Sequence, residues 1–206
     1  MAAFRNLSTG SLLNHKSKTP QKHGVSEDGT ISKTSTASTR PISVLFVCGG
    51  NICRSPMAEG VLRSLTASDQ RLGRIESCGT GAYNDGYPPD PRTMSTLQDN
   101  GIGDYGHVAR KVTAEDLNTF DYILAMDNEN VHDLSRLKTQ EIKKKNAGTS
   151  KEKLSAKVML FGDFGGKKGE QVADPYYGDT KGFAVAYEQI LRFSHGFVAQ
   201  VLDAPK

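Results

Sequence analysis

Cys48-Gly-Gly-Asn-Ile-Cys53-Arg54-Ser55 gathers two thiols, two glycines, a guanidinium and a hydroxyl in one short stretch. It follows the apolar run Ile42-Ser-Val-Leu-Phe-Val47 and leads into Pro56, a residue suited to the first turn of a helix. A tight loop and a helix N-terminus would converge their backbone N–H groups on one point, where an anion such as phosphate can sit. Arg54 adds a planar fork for two oxygens of that anion. The same positive field favours the thiolate of Cys48 at the floor of the cradle. The chemistry implied is transfer of a phosphoryl group to cysteine. A C-x4-C pair with no second cysteine pair and no nearby histidine pair makes a poor zinc site.

A thiolate that attacks phosphorus must expel an alkoxide or phenoxide. That leaving group needs a proton, and water must later be activated against the phosphocysteine. One carboxylic acid on a loop can serve both steps. The candidate is Asp174, in Val172-Ala-Asp-Pro-Tyr-Tyr-Gly-Asp179, where Pro175 biases it away from helix and Tyr176 and Tyr177 stand beside it. Asp121, Asp163 and Asp179 compete for the role, and an Asp-Pro pair is also an ordinary turn.

These groups need a frame. Ile42–Val47 reads as a central parallel strand, Met57, Val61, Leu62 and Leu65 as the apolar face of a following helix, and Arg74–Ser77 as a second strand. Pro91–Asn100 reads as a helix stopped by Gly101, and Thr113-Ala-Glu-Asp116 as a capping-box start. Tyr122–Met126 and Lys157–Phe161 supply two more strands, with a helix over Asn128–Leu137 between them. Lys181–Leu202 closes the chain as a helix. Strands alternating with helices predict a single open parallel α/β sheet of about four strands, with helices on both faces. The Cys48 loop then lies at the carboxyl edge of the sheet, where such folds bind ligands.

The 206 residues suffice for one domain plus a tail, and three cysteines are too few for a disulfide scaffold. No apolar run is long enough to span a bilayer, and a net charge of +3 is too small to argue for nucleic-acid binding. Residues 1–40 are rich in Ser and Thr, with Glu27 and Asp28 their only acids, and read as a disordered tail. An organelle-targeting peptide is the alternative. Residues 139–155, with Glu-Ile-Lys-Lys-Lys and Lys-Glu-Lys, read as a basic surface insertion in the domain that spans 41–206.

Val44-Leu-Phe-Val-Cys-Gly-Gly-Asn-Ile-Cys-Arg-Ser-Pro-Met-Ala-Glu59, together with Asp174-Pro-Tyr-Tyr-Gly178, resembles the low-molecular-weight protein tyrosine phosphatases. The resemblance runs from about Ser43 to Val201. It takes in Glu76-Ser-Cys-Gly-Thr80, Pro89-Asp-Pro-Arg92, His107-Val-Ala-Arg110 and Ala125-Met-Asp-Asn-Glu-Asn130. It implies that Cys48 is the nucleophile, that Arg54 grips the phosphoryl group, and that Asp174 is the general acid and later the base. The loop residues Gly49, Gly50, Ile52 and Cys53 would surround the phosphate. Ser55 would ease departure of the thiolate, and Asn51, tied to Ser77 and His107, would hold the loop in a strained shape. Tyr83, Tyr176 and Tyr177 would wall the substrate cleft. No metal and no other cofactor is implied. Expected partners are phosphotyrosine proteins and small aryl phosphates, with no nucleic acid and no membrane. A monomer in the cytoplasm is the expected form.

Two departures stand out: Gly49 where the family usually has a larger apolar residue, and Cys78 where alanine is common. Arsenate reductases of the same fold relay a disulfide through further cysteines, and no cysteine follows Cys78 here. Arginine phosphatases of the fold typically carry Thr where this chain has Ile52. A silent phosphate-binding module is a third reading, disfavoured by the presence of Cys48, Arg54 and Asp174 together. Cys53 also suggests a reversible bridge to an oxidised Cys48.

Overall fold

Strand β1 (Ile42–Cys48) is buried from Ser43 onward, with Val44, Leu45, Phe46 and Val47 wholly shielded from solvent. Burial on both faces is what its unbroken apolar character requires, because successive side chains point to opposite sides. Val44, Phe46 and Cys48 face a core of Met57, Val61 and Leu62 with Phe183, Ile190 and Phe193. Leu45 and Val47 face the other core, which contains Leu117, Phe120 and Leu134. A computed structural model describes residues 40–147 and 154–204.

The sheet has four strands in the order β2-β1-β3-β4, with β2 at Leu72–Gly79, β3 at Tyr122–Ala125 and β4 at Lys157–Leu160. All its pairings are parallel. The chain leaves β1 for a neighbour on one side and then crosses to the other, so the strand order reverses beside β1. Open sheets of this kind form their ligand crevice at that reversal. At the opposite, amino edge, Asp121 accepts bonds from the Ser43 amide and hydroxyl (2.9 Å each) and pairs with both ends of the Arg40 fork.

Helix α1 (Arg54–Leu65) and helix α5 (Thr180–Phe197) pack together over one face. The helices α3 (Asp116–Thr119) and α4 (Asn128–Ala147) belong to the other. Helix α2 (Pro91–Asp99) has Pro91 in its first turn and the Asp90 carboxylate accepting from the Arg92 amide, an N-cap of the usual kind. Thr113 and Asp116 bond reciprocally, as the capping-box reading expects.

Three local readings need correction. Helix α4 continues through Ala147, beyond the expected end at Leu137, and takes in the first part of the 139–155 stretch. Lysine and glutamate are good helix formers even without apolar periodicity, and a Lys144–Glu141 pair lies along this helix. Near the end of the stretch Leu154 is buried in the core. The last helix gives way after Phe197 to a wider π turn at Val198–Leu202. Residues 1–39 and 148–153, on which the tail reading and the rest of the insertion fall, lie outside the described residues.

Candidate active site

Asn51 is the residue about which the loop after β1 is built. It is 1% exposed and adopts φ 56°, a left-handed conformation that non-glycine residues seldom hold without compensation. Its side chain supplies that compensation. Nδ2 donates to Ser55 Oγ and Ser77 Oγ at 2.9 Å, while Oδ1 accepts from the Arg110 amide at 2.9 Å and lies 3.0 Å from His107 Nε2. The turn aims the Asn51 amide back at Cys48 Sγ, 3.2 Å away, and Ser55 Oγ stands 3.0 Å from the same sulfur.

Behind this layer lies Glu59, 3% exposed on α1. Its carboxylate accepts from Ser77 Oγ (2.8 Å) and Tyr105 OH (3.2 Å), approaches His107 Nδ1 at 3.3 Å, and pairs with Arg63 at 2.9 Å. A buried carboxylate with this many partners is satisfied. Removing one partner would leave charge exposed to an apolar interior, which is the costly case. The Glu59 and Tyr105 roles are absent from the sequence reading. The available signal is spacing, since Ser55, Glu59 and Arg63 recur every fourth residue on one side of α1.

Among the described residues, the amides of Gly49, Gly50, Ile52, Cys53, Arg54 and Ser55 donate to nothing in the protein, and Cys53 gives α1 no side-chain cap. These amides belong to the loop around Cys48 Sγ and the positive end of α1. Arg54, 5% exposed, reaches across the carboxyl edge of the sheet. Its guanidinium bonds Asp127 Oδ2 at 2.6 Å, the Val172 carbonyl at 3.3 Å and Asp174 Oδ2 at 2.8 Å. Burial works against the Arg54 charge, but Cys48, Asp174 and Asp127 outweigh it and hold the group above its usual range. The structure thus brings Cys48, Arg54 and Asp174 together. The competing acids are elsewhere: Asp121 is at the amino edge, Asp163 accepts from the Gly169 amide, and Asp179 caps α5.

A cleft of about 200 Å³ opens above Cys48, walled by Tyr83, Asn84, Tyr176 and Tyr177 and floored by the loop and Arg54. Ile52 also lines it. Tyr83 lies over three glycines. A Cβ at Gly81 would come within 2.1 Å of its ring, one at Gly50 within 2.9 Å, and one at Gly49 would stand 3.0 Å from its hydroxyl. Gly49 therefore leaves space into which Tyr83 folds. Asn84 clips the same wall to the loop through the Gly50 carbonyl at 3.0 Å. Tyr176 and Tyr177 meet edge to face at 5.0 Å.

The remaining cysteines are buried and unbridged. Burial, followed by the charge of Asp90, pushes the Cys53 thiol up to about 12, and burial raises that of Cys78 as well. Bridging of Cys53 to an oxidised Cys48 therefore requires deprotonation of a shielded thiol. Among the described residues no three His, Cys, Asp or Glu side chains converge as a metal ion would need.

The family model described as low molecular weight phosphotyrosine protein phosphatase matches residues 43–204. A protein of that name from Schizosaccharomyces pombe is 43% identical over 167 residues, covering 79% of this chain and 99% of that protein. The human protein of the same name is 44% identical over 159 residues, covering 76% and 93%. Among solved structures, that of DARP, a drosophila arginine phosphatase, superposes with a TM-score of 0.70 at 33% identity, covering 80% of this chain and all of that one. The chain belongs to the low molecular weight phosphotyrosine protein phosphatase family.

Proposed function

We propose that this protein hydrolyses phosphotyrosine in proteins, and small aryl phosphates, through a phosphocysteine intermediate. The observation that carries the reading is the ring of free amides around Cys48, closed by the buried fork of Arg54. A phosphate dianion seated there is met by N–H groups on its non-bridging oxygens, with Cys48 Sγ behind phosphorus. As the S–P bond forms and the P–O bond to the phenol breaks, Asp174 gives its proton to the leaving oxygen. The amides and Arg54 stabilise the charge on the three equatorial oxygens. Asp174, now ionised, then takes a proton from the water that attacks phosphorus, and Cys48 leaves as thiolate. Ser55 Oγ, 3.0 Å from the sulfur, is placed to donate to that thiolate.

Asp174 pairs with Arg54 at 2.8 Å. An incoming phosphoryl group takes over the fork and frees the carboxylate, which takes up a proton from solvent before serving the leaving oxygen, so binding and acid placement are coupled. Ile52 beside the cleft gives an apolar contact better suited to a phenyl ring than to a guanidinium, while the Tyr83 and Tyr176 rings can stack on either. The likeness to an arginine phosphatase makes phosphoarginine the rival substrate. Full burial of Cys78 and the raised Cys53 thiol argue against a cysteine relay. No described helix is long and apolar enough to cross a membrane. A cytoplasmic monomer without nucleic-acid partners, needing no metal or cofactor, completes the proposal.

The test compares phosphotyrosine, phosphoserine and phosphoarginine peptides on the purified full chain, with and without chelator. Phosphotyrosine should be turned over fastest, with chelator leaving the rate intact. Preference for phosphoarginine would overturn the substrate assignment.

A further inference from the structure

Asp174 stands on a loop that must stay in register with the phosphate loop while its own carboxylate changes partners. Once a phosphoryl group occupies Arg54, the Asp174–Arg54 bond no longer ties the two together. The bond from the Tyr176 amide to Asp174 Oδ1 is internal to the acid loop, as is that from the Gly178 amide to the Pro175 carbonyl. Before Asp174 the loop is held by the Val172 amide on the Met126 carbonyl at 2.9 Å and the Ala173 amide on Gln189 Oε1 at 3.3 Å, so the part still to be fixed is the stretch after Pro175.

Arg92, in the first turn of α2, makes that connection. One side of its fork pairs with Asp90, Nε to Oδ1 at 3.0 Å and NH2 to Oδ2 at 2.8 Å. From the other side, NH2 donates to the Tyr176 carbonyl at 3.2 Å and NH1 to the Gly178 carbonyl at 3.4 Å. Its planar face lies 4.5 Å from the Phe183 ring and 5.7 Å from that of Tyr176. Among the described residues no other side chain from outside the acid loop bonds its backbone between Tyr176 and Gly178.

Asp90 completes the link. Its amide donates to the Ile52 carbonyl at 2.8 Å, and Thr93 Oγ1 donates to the same carbonyl at 3.3 Å. Ile52 belongs to the phosphate loop, so a continuous set of bonds runs from that loop through Asp90 and Arg92 to the acid loop. Bonding to Arg92 holds the Asp90 carboxyl below the ordinary carboxylate range, which keeps the pair charged at neutral and mildly acid pH. Two-sided bonding of this kind needs the planar fork of arginine, and an ammonium group cannot reproduce it.

We propose that Arg92 is a positioning residue that holds Asp174 over the phosphate loop while the acid exchanges Arg54 for the leaving oxygen. This rests on the reading of Asp174 as the general acid. The substitutions are Arg92→Met, Arg92→Lys, Asp174→Asn and the double Arg92→Met/Asp174→Asn. Each is assayed as kcat/KM on aryl phosphates whose phenols range from acidic to weakly acidic, because kcat/KM reports steps through phenol release.

Arg92→Met should lose about 10-fold or more on the poorest leaving group and under about 3-fold on the best, since only the former depends on a placed acid. Arg92→Lys should recover part of that loss. The double variant should be no slower than Asp174→Asn, because both changes remove one function. Equal losses on all leaving groups, or additive losses in the double variant, would overturn the proposal. So would loss of inorganic phosphate binding by Arg92→Met, which would assign Arg92 to the phosphate loop instead. If Asp174→Asn itself shows no added leaving-group dependence, the acid assignment fails. If it does and Arg92→Met does not, only the tether fails.

Discussion

Asn51 spends four side-chain contacts on its neighbours and is 1% exposed, whereas Asp174, across the same cleft, leaves 44% of its side chain in solvent. The phosphate loop is built into the core: Asn51 binds α1, β2 and the segment from His107 to Arg110, and Glu59 backs it from within. The acid loop rests on the surface through Arg54, Arg92 and Gln189. The difference teaches that the two halves of one active site can be given different stiffness. Groups that hold charge on phosphorus gain from being fixed before substrate arrives. A group that donates a proton and later accepts one must change partners within a catalytic cycle, and a loop with few attachments permits it.

Substitutions can break or sharpen this contrast. The largest effect is expected from Cys48→Ser, which should abolish turnover while phosphate still binds, as read by calorimetric titration. Residual turnover comparable with the native protein would refute the mechanism. Next, Asp174→Asn should lower kcat/KM by about 100- to 10,000-fold, most for poor leaving groups, with unfolding stability within about 0.5 kcal/mol of native.

Asn51→Ala reverses that pattern. Losing its buried contacts and the support of a left-handed turn should cost about 2–4 kcal/mol in denaturant unfolding, together with activity. Asn51→Gly, which relaxes the backbone but restores no bond, should recover only part. Were Asp174→Asn to destabilise as much as Asn51→Ala, the contrast between the loops would collapse.

The smallest effect concerns Cys53 under the phosphate loop. Its thiol is pushed up to about 12 in the fold, above about 8.5 for an unfolded cysteine. The protonated form is therefore the one the fold favours. That contribution is complete below the unfolded value and is lost as pH rises through the folded one. Native protein should lose stability between about pH 9 and 12 relative to Cys53→Ala, measured by denaturant midpoint. Equal slopes would show that Cys53 is not shielded as described.

The frame was largely legible because its signals are local. The apolar run into Cys48, Pro91 behind an aspartate cap, and the Thr113–Asp116 box each carry their structure within a few residues. The convergence of Cys48, Arg54, Ser55 and Asp174 was legible where chemistry constrains residue type. The rest was not legible, because it depends on distance in sequence. Glu59 reads as an ordinary helix-surface carboxylate until β2 and the segment containing Tyr105 and His107 fold over it. Asp127 and Arg92 reach their partners only because the sheet order brings their loops to one edge. The continuation of α4 was missed for a different reason: a lysine-rich stretch gives no apolar period to follow, although its residues favour helix.

The seat beneath Tyr83 also limits how this wall of the cleft can change. With a tyrosine folded over them, Gly49, Gly50 and Gly81 are not independent positions: a side chain at Gly81 collides with the ring outright, and one at Gly49 presses on the hydroxyl. The Gly81 contact is with ring carbons and the Gly49 contact is with the tip of an exposed side chain, so a larger residue at position 81 would displace the whole ring, whereas one at position 49 would only have to shift the phenol end.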